Sequence, residues 1–262
     1  MALSGAFSGL FAPAAEMQRV SSLFLRVLAL IYFSAFASLA FQIAGLAGPE
    51  GILPFADRLP VYRAELGNLA YLKYPTVFWI SASDTALVGV TVAGCLLSVL
   101  LLFNIRPRAV LIGLFVLYLS LFHAGQMFMN FQWDYLLLEA GFLAIFIPGG
   151  PSRLVVWLFH WLLFRLRFLS GASKLITGDT SWSEFTALEY YFETQPLPHT
   201  GAWFAHQLPD GILMAGVVFV LFAELLIPWL MFLPRRWRLF AAWTTLLTQA
   251  LIIATSNHNF FN

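Results

Sequence analysis

The feature that most constrains this chain is a series of apolar runs too long and too free of charge for a water-soluble core. A helix that crosses the ~30 Å hydrocarbon layer needs ~20 mostly apolar residues at ~1.5 Å per residue. No charge falls between Arg26 and Glu50, and further uncharged runs cover Thr85 to Ile105 and Ala109 to Trp133. Tyr135 to Pro148 contains one acid, Glu139. A fifth stretch starts near Ser152 and carries Arg165 and Arg167 before Lys174. The sixth, Gly211 to Leu233, contains Glu224, and the seventh runs uncharged from Leu239. The runs are continuous rather than alternating, which disfavours strands. The expected fold is an all-α polytopic transmembrane helix bundle of about seven spans, near 27–48, 85–105, 109–130, 134–148, 152–173, 211–233 and 239–258, forming a single domain over 1–262. Composition agrees: of 262 residues, 60% are apolar and only 10% charged, against roughly a quarter charged in soluble proteins. The fourth and fifth stretches are the least regular, and a re-entrant path there requires shielding by other helices. The alternative for the first run is a secretory signal peptide cleaved near Ala37-Ser-Leu-Ala, but its uncharged length exceeds the ~7–15 residues of a signal core.

Lysine and arginine in short loops set the orientation. With a cytoplasmic N-terminus, Arg19, Arg106, Arg108, Arg153, Arg235, Arg236 and Arg238 all fall inside. Two exofacial segments result, 49–84 and 174–210. The second holds Asp179, Glu184, Glu189, Glu193 and Asp210, together with Trp182, Phe185, Tyr190, Tyr191, Phe192 and Trp203. Tyr62 to Tyr74 reads as a short helix ending before Pro75. Asp179-Thr-Ser-Trp reads as a helix start capped by Ser181 or Thr180. That helix stops before Thr194-Gln-Pro-Leu-Pro, and it places Glu189 and Glu193 on one face.

Several constellations bear on chemistry. A net charge of +1 without a basic run excludes a nucleic-acid partner. The lone Cys95 excludes an intramolecular disulfide or a CxxC redox pair. No cofactor is expected. His123, His160, His199, His206 and His258 show no metal-ligand spacing. Ser170 and Lys174, four apart, could act as a nucleophile pair, but packing by the small residues Ser170, Gly171, Ala172 and Ser173 accounts for them without other motifs. Ionisable groups in hydrocarbon are costly and normally paired. The candidate intramembrane polar cluster is Asp134, Glu139, Arg167, Lys174 and Glu224. Arg167, Gly171 and Lys174 share a face, and Glu139, with Glu224, is the expected partner of Arg167 or Lys174. Asp134, ~140° from Glu139, marks the start of a span. Ion pairs that fix packing, a substrate-contacting role, and interfacial snorkelling by the arginines are the three readings of this cluster.

Four blocks together resemble the lipase maturation factor family. They are Asn130-Phe-Gln-Trp-Asp-Tyr-Leu-Leu-Leu-Glu-Ala-Gly-Phe-Leu-Ala-Ile, Arg167 to Trp182, Tyr190-Tyr-Phe-Glu-Thr-Gln-Pro-Leu-Pro, and Ser256-Asn-His-Asn-Phe-Phe-Asn. The resemblance implies a multi-span membrane protein that helps exported lipases reach an active state, distantly similar to the membrane region of vitamin K-dependent carboxylase. It also implies a longer chain, since family members continue past the last block, so this sequence reads as a short form or fragment. Scarce cysteine and the absence of N-x-S/T sequons favour a bacterial inner membrane over the endoplasmic reticulum membrane expected in a eukaryote. The candidate client-binding residues are Trp182, Glu189, Tyr190, Tyr191, Glu193 and Gln195. Expected partners are membrane lipids and an exported lipase or other client. The alternative is an integral membrane enzyme acting on a lipidic or exported substrate.

Overall fold

A computed structural model describes residues 10–12, 15–195 and 199–256. Pro196, Leu197 and Pro198, and the closing residues 257–262 with His258, lie outside the described residues. Among the described residues the chain is helical with no extended strand. Six helices are long and apolar enough to cross a membrane. We label the long helices α1 (Gln18–Ala40), α2 (Asp84–Leu102), α3 (Pro107–Gly125), α4 (Gln132–Ala144), α5 (Arg153–Ile176), α6 (Asp210–Leu221) and α7 (Arg235–Thr255). The sixth span continues from α6 to Phe232 through altered helical turns. In every span most residues are not buried within the protein. Side chains such as Leu96, Ile112 and Trp243 therefore sit exposed, an arrangement that lipid solvates and water penalises.

The chain forms two compact units, 1–159 and 160–262. In the first, helix boundaries follow local chemistry. Ser83 caps α2 by accepting from the Ala86 N–H, and Asp84 adds an acid in the first turn. Pro107 opens α3 at a position where a missing N–H costs nothing. The segment expected as one short helix between Tyr62 and Tyr74 is instead two helices, Phe55–Leu66 and Leu69–Lys73. Gly67, at φ +57°, breaks them, in a region that glycine enters without penalty.

α4 is the element that differs most from expectation. It has 13 residues, about 20 Å of helix, too short to cross alone. Asp134 explains its early start: the carboxylate reaches back to accept from the Phe131 N–H at 3.3 Å and from the Tyr118 hydroxyl at 2.7 Å. Beyond Ala144 the chain continues through turns to Pro148, whose carbonyl accepts from Arg108 at 2.8 Å. The Arg153 N–H then donates to Ala12 O at 3.1 Å. The fourth segment therefore brings the chain back to the end of α3 where that helix began, beside the residues that precede α1.

α1 holds this unit together through two aromatic rings set against glycines. Phe36 fills the space over Gly94 of α2, and the Tyr32 hydroxyl lies against Gly141 of α4. Small residues of this kind let membrane helices approach closely. Both rings also meet Tyr118 edge-on, at 5.9 and 5.6 Å between centroids. All three are buried.

A Cβ at position 94 would overlap the Phe36 ring, so Gly94→Ala should cost ~1–3 kcal/mol through overpacking. Adding Phe36→Leu should restore part of that loss. Thermal unfolding in mild detergent checks both, and an unchanged midpoint for Gly94→Ala would show that the two helices do not meet there.

Candidate functional site

The site in the second unit starts from a proline. Pro228 lacks an N–H, and in a regular helix its ring would press on the carbonyl four residues back, that of Glu224. The helix adapts by widening: Phe222–Leu226 forms a π-turn, closed by the Ile227 N–H donating to Phe222 O, and Ile227–Phe232 continues as a tighter 3-10 helix. Turns of this kind recur at functional sites. The widened turn faces Gly171 of α5, where a Cβ would stand 2.8 Å from Glu224 Cβ. Glycine at 171 is thus what lets the two helices close on each other at the carboxylate. Below this contact Phe164 and Phe168 stack at 5.4 Å and both meet Trp229 edge-on.

The approach brings three ionisable side chains together. Lys174 Nζ donates to Glu224 Oε2 at 2.6 Å, and Arg167 Nη1 lies 3.9 Å from Glu224 Oε1. The first is a charge-assisted hydrogen bond. The second is too long for one and acts through charge alone. Lys174 also donates to Ser170 Oγ at 3.0 Å and to Ser170 O at 3.3 Å, and Nζ stands 5.2 Å from the Trp182 ring centre. An ammonium has three N–H groups and no lone pair, so here Lys174 is a donor to Ser170 and not its base. Glu224 and Arg167 are buried, and Lys174 is partly buried.

Of the five residues expected in the polar cluster, the structure brings together Arg167, Lys174 and Glu224. Asp134 has its partners, Tyr118 and Phe131, in the first unit, and Glu139 is half-buried on α4. Sequence reasoning missed the supporting parts. Tyr118 carries no local signal of its partner, whereas Pro228, four residues after an intramembrane acid, was readable as a helix defect.

Between α5 and α6 lie two short helices, Thr180–Ser183 and Ala187–Tyr191, then a third, Thr200–His206. Asp179, rather than Ser181 or Thr180, caps the first, accepting from the Ser181 N–H at 3.0 Å. Phe185, at φ +62°, separates the first two, so Glu193 falls beyond the helix that carries Glu189. The candidate client-binding residues divide in two. Trp182 lies against Lys174. Gln195 is buried and donates to Thr255 O at 3.1 Å. Tyr191 is half-buried and hydrogen-bonded to Ser256; burial raises its phenol above the ordinary range and that bond opposes the rise. These three tie the segment down. Tyr190, 58% exposed, and Glu193 point outward, Glu189 is half-buried, and Trp203 and Phe204 add a further exposed aromatic pair.

Glu224→Gln keeps the shape of the side chain but leaves two cations without their counter-ion. It should cost ~3–5 kcal/mol, the penalty for breaking a buried pair from one side. Lys174→Met should cost less, because Arg167 keeps its carboxylate. Detergent thermal melts of the two variants decide: equal midpoints would mean that water already screens the cluster.

Comparison with known proteins accords with this architecture. Residues 19–262 match the family described as "Lipase maturation factor transmembrane domain". Lipase maturation factor 2 of Xenopus laevis is 42% identical over 94% of this chain and 38% of its own length. The human protein of that name is 42% identical over 92% of this chain and 38% of its own. Lipase maturation factor 1 of Mus musculus is 32% identical over 91% of this chain and 45% of its own. The chain thus spans about two fifths of the length of the curated relatives it matches. No solved structure matches it. A family match over nearly the whole chain, on a bundle of apolar spans, shows that this protein belongs to the lipase maturation factor family.

Proposed function

We propose that the chain acts as a membrane-embedded maturation factor for exported lipases or related clients, and that segment 177–209 is where it meets them. The observation that carries the docking role is the division of that segment's side chains. Tyr191, Gln195 and Trp182 anchor it, which leaves Tyr190, Glu193, Trp203 and Phe204 exposed on an ordered surface. Exposed aromatics on a held scaffold are the side chains that most often carry binding energy. Glu184 and Glu193 beside them would steer basic clients.

The orientation follows from the fourth segment. If α4 and the turns after it return the chain across the membrane, Arg106, Arg108, Arg153, Arg235, Arg236 and Arg238 share the cytoplasmic side and segment 177–209 faces outward. If they do not, every later segment changes sides and the arginines of Arg235-Arg236-Trp237-Arg238 face outward, against the positive-inside rule. The Arg108–Pro148 hydrogen bond supports the first arrangement. The single cysteine and the missing sequons favour a bacterial inner membrane as the location.

Two measurements test the reading. Single cysteines at Glu184 and Arg236, in a Cys95→Ser background, should react with a membrane-impermeant thiol reagent from opposite sides, position 184 from outside. Labelling of position 184 only from the cytoplasmic side would remove the docking role. Tyr190→Ala with Glu193→Lys should lower the yield of active client lipase at least several-fold while membrane insertion and thermal stability stay unchanged. Client activity at the level of the unaltered protein would reduce the segment to a connection. Tyr191→Ala should instead lower stability, because Tyr191 anchors rather than presents.

A further inference from the structure

The cluster around Glu224 is not neutral. Two cations share one carboxylate, and Lys174 takes the better part of it, with Ser170 completing its shell. Arg167 is left with an ion pair at 3.9 Å, although it is only 5% exposed. Its Nε and Nη2 are buried and have no hydrogen-bond partner among the described residues. A buried guanidinium in that condition loses its hydration without replacement, a cost that native structures rarely leave standing.

The identity of the two unpartnered nitrogens says what is missing. Nε and Nη2 lie on the same edge of the guanidinium, and their N–H bonds run parallel. That edge matches the two oxygens of a carboxylate or phosphate and gives the side-on bidentate pair. Nη1, on the other side, is the atom turned towards Glu224. Arg167 also lies nine residues before the end of α5 and fourteen after its start, at least ~13 Å of helix from either end. An oxyanion at that depth has to arrive with an apolar body. Leu163, one turn earlier on the same face, is exposed apolar surface.

We propose that the Nε–Nη2 edge of Arg167 binds the oxyanion of a lipid, a fatty-acid carboxylate or a phospholipid phosphate, and that Lys174, Glu224 and Ser170 hold the arginine in place for it. The inference concerns lipid and stands independently of any client.

The test uses the full chain purified in dodecyl maltoside and stripped of lipid by extended detergent exchange. It is titrated separately with oleate, dioleoyl phosphatidic acid, methyl oleate and inorganic phosphate, and followed by thermal unfolding. At a hundredfold excess over Kd, the matching lipid anion should raise the midpoint by roughly 5–10 °C. A rise with oleate alone assigns a carboxylate, with phosphatidic acid alone a phosphate headgroup, and with both a shared oxyanion site. Arg167→Met, which leaves Lys174 and Glu224 as a neutral pair, should fold with a midpoint at or above that of the stripped unaltered protein and should lose the response. Arg167→Lys keeps the charge without the bidentate edge, and should bind about tenfold more weakly; it carries the test if Arg167→Met fails to fold. An equal rise with methyl oleate, a response retained in Arg167→Met, or no response to either lipid anion would overturn the site. A response to inorganic phosphate without either lipid would overturn its lipidic nature.

Discussion

Inside hydrocarbon no water is at hand to complete a hydrogen bond, and the rest of this structure is arranged around that constraint. Backbone groups are satisfied within helices, and several polar side chains among the spans find partners that sequence distance would not suggest. Tyr118 donates to Asp134, the Tyr32 hydroxyl reaches Leu137 O, and Lys174 donates to Glu224. Four hydroxyls inside the spans turn back on their own helices: Ser98, Ser120, Thr244 and Thr248 each donate to the carbonyl four residues earlier. The helices must then be held by shape. Glycines 94, 141 and 171 mark three places where one helix presses a side chain into the backbone of another.

The two units apply the same rule with different chemistry. In the first, rings fill the space over the glycines, and Tyr32, Phe36 and Tyr118 form a continuous aromatic centre. In the second, the side chain at the glycine is a carboxylate, and the contact carries charge as well as shape. A close approach there does more than pack: it places Glu224 where two cations on one face of α5 can reach it. The same unit holds its long connecting segment by polar ties to the end of α7, at Thr255 and Ser256. The exposed aromatics Phe185, Tyr190, Trp203 and Phe204 lie on the part so held.

Much of this was legible in advance because helices in lipid are local objects. Long apolar runs with little or no charge marked about seven spans, six of which are helices long enough to cross, and the four-then-three spacing of Arg167, Gly171 and Lys174 placed them on one face. What was not legible depended on distance or on backbone. Two acids, Glu139 and Glu224, were available for two cations, and no periodicity chooses between partners on other helices. The length of α4 was misjudged because Phe146, Ile147 and Pro148 are apolar yet lie in turns, where hydropathy does not distinguish coil from helix. The break at Phe185 was invisible because a bulky residue at positive φ is held by its surroundings rather than chosen by its own preference. Asp179 displaced Ser181 as the cap for a local reason, since its carboxylate satisfies both the N–H and the hydroxyl of Ser181.

The π-turn at Phe222–Leu226 does something for the helix beyond aiming one carboxylate. Each turn of a regular helix advances by 3.6 residues, so a stripe of contacts keeps nearly the same bearing from end to end. One extra residue in a single turn shifts everything downstream by about 100° relative to what precedes it. Before the turn, Gly216 lies under Leu188, and Glu224 within it faces Gly171; after it, Ile227 and Met231 pack with Ala241 of α7. A single span therefore has two bearings and serves two sets of neighbours that an unbroken helix would present in one line. Deleting one residue between Phe222 and Leu226 would remove the offset, and the two halves of the span could no longer both keep their seats.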